Sequence, residues 1–161
     1  STIDNLFGGL SIFADRPFKV GDWIIVGDKV DGNVEQIGFR STKVRTWPKT
    51  LMSIPNKVLA TEIVDNWSRM PKRRVKMTVG VTYSTTPEQM EELLRRIREL
   101  LRKDEGVDPD FFLVRFTDFG ASSLDIFLYY FTKSIKWDEH LGVRERVNLN
   151  IMRIIREMGL S

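Results

Sequence analysis

The stretch Arg16-Pro17-Phe18-Lys19-Val20-Gly21-Asp22-Trp23 separates two kinds of sequence and so constrains the fold more than any other. Pro17 lacks a backbone donor and pushes Arg16 out of the helical region, so a helix arriving from the N-terminus must end about here. Beyond it, Gly21-Asp22 is a turn signal and Trp23-Ile24-Ile25-Val26 is a β-type run. The block reads as an elbow between helix and sheet. Upstream, Leu6, Phe7, Leu10, Ile12 and Phe13 are interspersed with the small residues Gly8, Gly9, Ser11 and Ala14, which predicts a helix over 3–14. Each of the paired glycines costs roughly 1 kcal/mol relative to Ala. Either something holds this helix, since small residues let another backbone come close, or the segment is a frayed N-terminal arm.

From Phe18 to Trp67 the pattern is all β. Strands are expected at 23–26 and 33–37, with Asp31-Gly32 as the turn before the second and Gly38 as a bulge or sharp bend after it. Residues 42–46 and 51–54 form a hairpin closed by Trp47-Pro48-Lys49-Thr50. Pro55-Asn56 then breaks the ladder, and Ile63-Val64 leads into Asp65-Asn66-Trp67. Short strands at this spacing predict a small, strongly bent sheet or barrel.

After residue 70 the period changes. Val75 to Val81 alternates as a half-buried strand, and Thr86-Pro87-Glu88-Gln89 is a helix start with Thr86 as N-cap and Gln89 placed to close a capping box. Met90, Leu93, Leu94, Ile97, Leu100 and Leu101 fall on one face of that helix. Glu91 to Arg95, Glu92 to Arg96 and Glu99 to Lys103 are favourable pairs four apart. Residues 112–116 and 124–131 are two more strands, and Val143, Val147, Ile151, Ile154, Ile155 and Met158 stripe a second helix stopped by Gly159. The fold class is therefore α+β, and this half, read β-α-β-β-α, is a split β-α-β repeat lacking its last strand.

A chain of 161 residues with 42% hydrophobic and 29% charged residues has room for one ordinary domain or two small ones. It holds no cysteine, which rules out a disulfide framework and thiolate chemistry. The net charge of +3 resides in one patch, since Arg69, Lys72, Arg73, Arg74 and Lys76 together carry +5 with no acid among them. No stretch reaches the roughly 20 apolar residues of a membrane-spanning helix. With no initiator Met and no signal peptide, the chain reads as a piece of a longer protein.

The residues for catalysis are missing. His140 is the only histidine and is expected as a surface residue at a helix start. Glu91-Glu92 and Asp104-Glu105 belong on a solvated helix face or its end, and Gly8-Gly9 precedes no Lys-Ser/Thr phosphate loop. Phe111, Phe112, Phe116, Phe119, Phe127, Tyr129, Tyr130 and Phe131 are expected as sheet core. The chain is not expected to be an enzyme or to use a cofactor or metal.

The order of several short runs says more. Asn5-Leu6 through Gly9, Arg16-Pro17-Phe18-Lys19-Val20-Gly21-Asp22, Gly32 to Thr42, Ile54-Pro55-Asn56 and Asp65-Asn66-Trp67-Ser68-Arg69 follow one another at spacings that resemble the small-conductance mechanosensitive channel (MscS) family. Val79-Gly80-Val81-Thr82-Tyr83 and Gly120-Ala121-Ser122-Ser123 extend the resemblance to that family's C-terminal domain. It covers essentially the whole chain.

The resemblance implies a homoheptameric, tension-gated channel of the inner membrane that passes ions and small solutes on hypo-osmotic shock. Residues 1–16 would be the C-terminal half of the last membrane (pore) helix, with the bilayer contacted through upstream helices. Residues 17–69 would be a five-stranded Sm-like β barrel, and 70–161 a ferredoxin-like α/β domain, truncated, walling a cytoplasmic vestibule. Helix-to-β-domain coupling would fall to Asn5 as a polar anchor, Gly8 and Gly9 as close-packing or bending points, and Phe13 as an apolar contact. Arg16, Pro17 and Phe18 would fix the elbow. Gly21, Asp22, Gly32, Gly38, Pro55, Asn56 and Asn66 would form the β-domain structural motif. The basic patch would line the vestibule or face anionic lipid heads.

Two other readings stay open at this point. A small β barrel with exposed Trp47 is also a nucleic-acid-binding architecture. Eight acidic residues balance eight basic ones between Ser1 and Ser68, however, so no nucleic acid is expected. The split β-α-β half could equally be a small-molecule sensor, with no ligand named by the sequence.

Overall fold

The computed structural model describes Ser1–Ser161, which fall into two compact units, Ser1–Met70 and Pro71–Ser161. In the first unit, α1 spans Thr2–Asp15. It is opened by a capping box between Ser1 and Asp4 and closed where Arg16 takes a left-handed backbone (φ 47°) with its N–H on Ile12 O at 2.9 Å. The expected helix stop before Pro17 is thus met by an αL cap.

Five strands follow: β1 (Trp23–Val26), β2 (Val30–Ile37), β3 (Ser41–Thr46), β4 (Leu51–Pro55) and β5 (Val64–Asn66). They form one antiparallel sheet in the order β4-β3-β2-β1-β5. β4 and β5 do not pair with each other, so the sheet is open and not a closed barrel. Its core comprises Phe18, Ile24, Val26, Val30, Val34, Val44, Ile54 and Leu59, joined by Ile12 from α1. Burying one such side chain is worth about 1.5–3 kcal/mol, so Ile12 ties the helix to the sheet.

A further sequence expectation fails in this unit. Asp31-Gly32 is inside β2, and the turn lies at Gly27-Asp28-Lys29, where Gly27 takes φ +59°. Gly32 is needed for another reason: a Cβ there would sit 2.3 Å from Arg45 O on the neighbouring strand. Pro55-Asn56 does more than break a ladder. It starts a short helix, α2 (Asn56–Thr61), too brief to show a period, before a 3-10 turn at Trp67–Arg69.

The second unit runs β6 (Arg73–Val81), α3 (Pro87–Lys103), β7 (Val107–Phe119), β8 (Leu124–Thr132) and α4 (Trp137–Glu157). The sheet order is β6-β8-β7, all antiparallel, with β8 central. Thr86 and Gln89 form the expected capping box. Met90, Leu93, Ile97 and Leu101 of α3 and Val143, Val147 and Ile151 of α4 pack on Val75, Val114, Ile126, Leu128 and Tyr130 of the sheet.

Strict alternation along β8 buries Leu124, Ile126, Leu128 and Tyr130 but leaves Phe127, Tyr129 and Phe131 half-exposed. Phe111 and Phe119 are exposed outright. Of the aromatic set expected as core, only Tyr130 is fully buried, because a strand sends alternate side chains to opposite faces and the helices cover one face. Of the three helix pairs, Glu92–Arg96 and Glu99–Lys103 form, while Arg95 turns to Glu92 and Glu99 and leaves Glu91 out.

Candidate functional site

The first unit holds an arrangement in which a helix rests on another backbone without side chains between them. Gly8 and Gly9 are the buried residues at the middle of α1, and both meet the start of α2. A Cβ on Gly8 would stand 2.7 Å from the backbone carbon and oxygen of Asn56 and 2.8 Å from Lys57 N. On Gly9 it would stand 3.0 Å from Asn56 Nδ2 and 3.3 Å from Phe39 O. The glycines are thus explained by close approach and not by flexibility.

Polar contacts register the seat. The Lys57 N–H donates to Asn5 Oδ1 at 3.2 Å, and Asn5 Nδ2 donates back to Ser1 O at 3.1 Å. Since α2 has no side-chain cap of its own at Pro55, Asn5 supplies one from another helix. Asn5 is therefore an anchor between elements; the N-cap of α1 is Ser1.

Beneath the glycines lies Asn56, fully buried. Its Oδ1 accepts from Thr42 Oγ1 (2.9 Å), its Nδ2 donates to Gly38 O (2.9 Å), and its N–H donates to Arg40 O (3.0 Å). One amide side chain thereby joins α2 to both sides of the bend between β2 and β3. Gly38 sits in that bend with its N–H on Ser41 O at 2.8 Å, and a Cβ there would lie 2.8 Å from the same oxygen.

The elbow is a second hydrogen-bonded knot. Asn66 Nδ2 donates to Pro17 O and to Asp22 Oδ2, each at 2.9 Å, and Lys19 N–H donates to the same carboxylate oxygen at 3.0 Å. Arg69 Nη2 donates to Arg16 O at 2.5 Å. Two consecutive carbonyls leaving α1 are thus held by side chains from the other end of the unit. Phe18 is 2% exposed and locks the elbow into the core. Gly21, at φ +96°, makes the turn that returns Asp22 to Lys19.

Phe13 does not pack inward. It is exposed with Ile3, Phe7 and Leu10, which give α1 an outward apolar stripe opposite its glycine face. Phe13 also borders a groove of about 270 Å³ with Arg16, Phe18, Lys19, Val20 and Ile37.

The basic run 69–76 is divided among different tasks. Arg69 holds the elbow, Lys72 pairs with Asp108 at 2.7 Å, Arg73 donates to Ile135 O at 3.3 Å, and Arg74 lies 5.9 Å from the Tyr129 ring centre. The hydrogen bond from Lys72 holds the Asp108 carboxyl below its ordinary range and raises the Lys72 ammonium in turn. Lys76 is exposed.

His140 is not a surface residue. It is 6% exposed, shares a 2.8 Å hydrogen bond between Nδ1 and Thr132 Oγ1, and has its pKa lowered by burial and by Arg73 and Arg144. Asp104 is likewise no solvated helix end. Its side chain is 5% exposed and meets Arg146 at 2.6 Å.

The sequence singles out the glycines and Asn5 but places Arg69 in a charge patch and Asn66 in a general motif. The one signal for their clasp is adjacency in the run Asn66-Trp67-Ser68-Arg69, and its targets lie about fifty residues away.

The sequence model described as mechanosensitive ion channel, beta-domain, matches residues 1–69. That described as mechanosensitive ion channel MscS, C-terminal, matches residues 75–161. An MscS family protein of Aquifex aeolicus is 44% identical over 161 residues, covering 99% of this chain and 44% of its own length. The low conductance mechanosensitive channel YnaI of Escherichia coli is 35% identical, covering 98% of this chain and 46% of its own. The chain spans about half the length of the curated relatives it matches. Among solved structures, Arabidopsis thaliana MSL1 superposes with a TM-score of 0.90 at 22% identity over 99% of this chain and 58% of that one. Helicobacter pylori MscS in its closed state gives 0.81 at 24% identity, over 99% and 61% respectively. These two likenesses carry the fold, including the helix followed by antiparallel sheets.

Proposed function

Because the chain belongs to the MscS family of mechanosensitive ion channels, we propose that it couples the pore to the body of a membrane-tension-gated channel. That channel is a homoheptamer in the cell's inner membrane that releases ions and small solutes on hypo-osmotic shock. α1 is the C-terminal half of the pore-lining helix. Residues 17–69 are an Sm-like middle domain, and 70–161 wall a vestibule on the cytoplasmic side. The strand order β6-β8-β7 around two helices on one face supports the ferredoxin-like reading of that last domain. No helix of the chain is long and apolar enough to cross a membrane. Spanning is assigned to helices upstream of α1.

The observation that carries this reading is the glycine seat of α1 on Asn56 and Lys57. Tension favours whichever state occupies more membrane area, and a pore helix that shifts must move relative to what it rests on. Gly8 and Gly9 let α1 lie in backbone contact, and Asn5 fixes its register. Arg16, Pro17 and Phe18, held by Asn66 and Arg69, make the elbow a stiff pivot. The outward stripe of Ile3, Phe7, Leu10 and Phe13 is the face α1 turns to lipid or to neighbouring helices.

The nucleic-acid reading loses its main residue. Trp47 directs its Nε1–H to Asp31 at 2.9 Å and packs edge-on against Trp23, which donates to the same carboxylate oxygen at 2.7 Å. An aspartate at the centre of an aromatic cluster repels phosphates.

The test is survival of hypo-osmotic downshock. Bacterial cells stripped of their own tension-gated channels and expressing the full-length protein should survive dilution that lyses the parent strain. Equal lysis, with membrane-inserted protein confirmed, would contradict the reading.

A further inference from the structure

Several charges of the second unit are paired. Arg95 and Arg96 meet Glu92, Arg146 meets Asp104, and Lys72 meets Asp108. Arg98 and Arg102 on α3 and Arg115 on β7 instead converge on one groove with no carboxylate in ion-pairing contact. The groove measures about 310 Å³ and runs along Pro109 to Arg115. Arg98 reaches across it to donate to Val114 O at 2.7 Å, and Arg102 lies 5.6 Å from the Phe112 ring centre. Burial and repulsion from Arg115 and Arg102 lower the pKa of Arg98. Asp110 also lines the groove, so its charged lining is three arginines and one acid.

Like charges held together need a reason. The C-terminal end of the α3 dipole attracts Arg102 and Lys103 in its last turn, but that field does not account for Arg115, which belongs to a strand. β7 is moreover an outer strand of its sheet, so alternate backbone N–H groups along the groove have no partner strand. Guanidinium forks and free amides together match a tetrahedral oxyanion, and a dianion neutralises the surplus of two positive charges. Phe111, 50% exposed and edge-on to Tyr129, also lines the groove and offers an apolar surface for whatever the anion carries.

We propose that this groove binds a phosphomonoester, its phosphate held by Arg98, Arg102 and Arg115 and its organic part against Phe111. The site is independent of the channel reading above, since its residues lie within the second unit alone.

The 161-residue chain, isotope-labelled for NMR, is titrated with inorganic phosphate and separately with adenosine monophosphate, at constant ionic strength maintained with sodium chloride. Saturable shifts are expected at the amides of residues 111–115 and at the arginine side chains, with adenosine monophosphate the tighter of the two. Arg98→Gln with Arg115→Gln should weaken binding at least tenfold, while amides elsewhere keep their positions and so report an intact fold. Shifts that grow linearly without saturation, that spread over basic residues generally, or that survive the double substitution would overturn the site. Equal affinity for the two probes would overturn the role given to Phe111.

Discussion

Asn56 is where a single residue matters most in the first unit. Its side chain satisfies the Thr42 hydroxyl and the Gly38 carbonyl, and its backbone is what Gly8 rests on. Leucine fills a similar volume but leaves both partners unpaired in a dry site, at about 1–3 kcal/mol each. Asn56→Leu should therefore lower the unfolding midpoint of the chain, at roughly 4–8 °C per kcal/mol for a unit of this size, which calorimetry reads directly. Gly8→Val forces a side chain into backbone atoms and should cost roughly 1–3 kcal/mol or detach α1. Detachment would appear as faster amide exchange at Lys57, whose N–H loses the Asn5 carbonyl oxygen. In the second unit, burial depresses the pKa of His140. The unfolded chain, with a histidine near 6.5, then binds more protons than the folded one below that pH. Stability of this unit should fall as pH drops through that region, and His140→Gln should flatten the decline in a series of melting curves between pH 5 and 7.5. Arg146 holds Asp104 low as well, so its stabilisation persists through this window and fades only at more acid pH.

At the scale of elements, the legible parts were those whose cause is local. α3 carries its own capping box and apolar stripe, and Pro17 ends α1 by its own chemistry. α2 could not be read because six residues show no period and its cap comes from Asn5, 52 positions away. Asp31-Gly32 reads as a turn because Asp-Gly favours one, whereas the contact that requires Gly32 is Arg45 across the sheet. The aromatic residues of β7 and β8 read as core in the sequence because composition does not say which face of a sheet is covered. The candidate site divides in the same way. Gly8 and Gly9 announced a close approach, but nothing local said to what. The clasp of Arg69 and Asn66 on the Arg16 and Pro17 carbonyls shows locally only as the adjacency of Asn66 and Arg69, and nothing local names its targets about fifty residues away. Removing it tests the elbow as an element. Arg69→Ala should cost only about 0.5–1.5 kcal/mol of stability for one hydrogen bond, while a full-length channel carrying it should change its activation threshold or its rate of inactivation. Stability loss with unaltered gating would make the clasp merely structural.

For the whole molecule, a tension-gated channel needs a movable pore helix and something to register its movement. α1 supplies a helix with one face in backbone contact and the other apolar and exposed, and the elbow ties its exit to the far end of the sheet unit through Asn66 and Arg69. In the full-length channel proposed above, the glycine seat sets the balance between conducting and closed states. The direct measurement is patch-clamp recording of the full-length parent, reconstituted in liposomes, under a suction ramp, beside its Gly8→Val and Asn5→Ala variants. Stepwise conductance above a pressure threshold is predicted for the parent, with the threshold or the inactivation rate displaced in both variants. A silent bilayer up to rupture with assembled protein present, or thresholds and inactivation identical in all three, would contradict it.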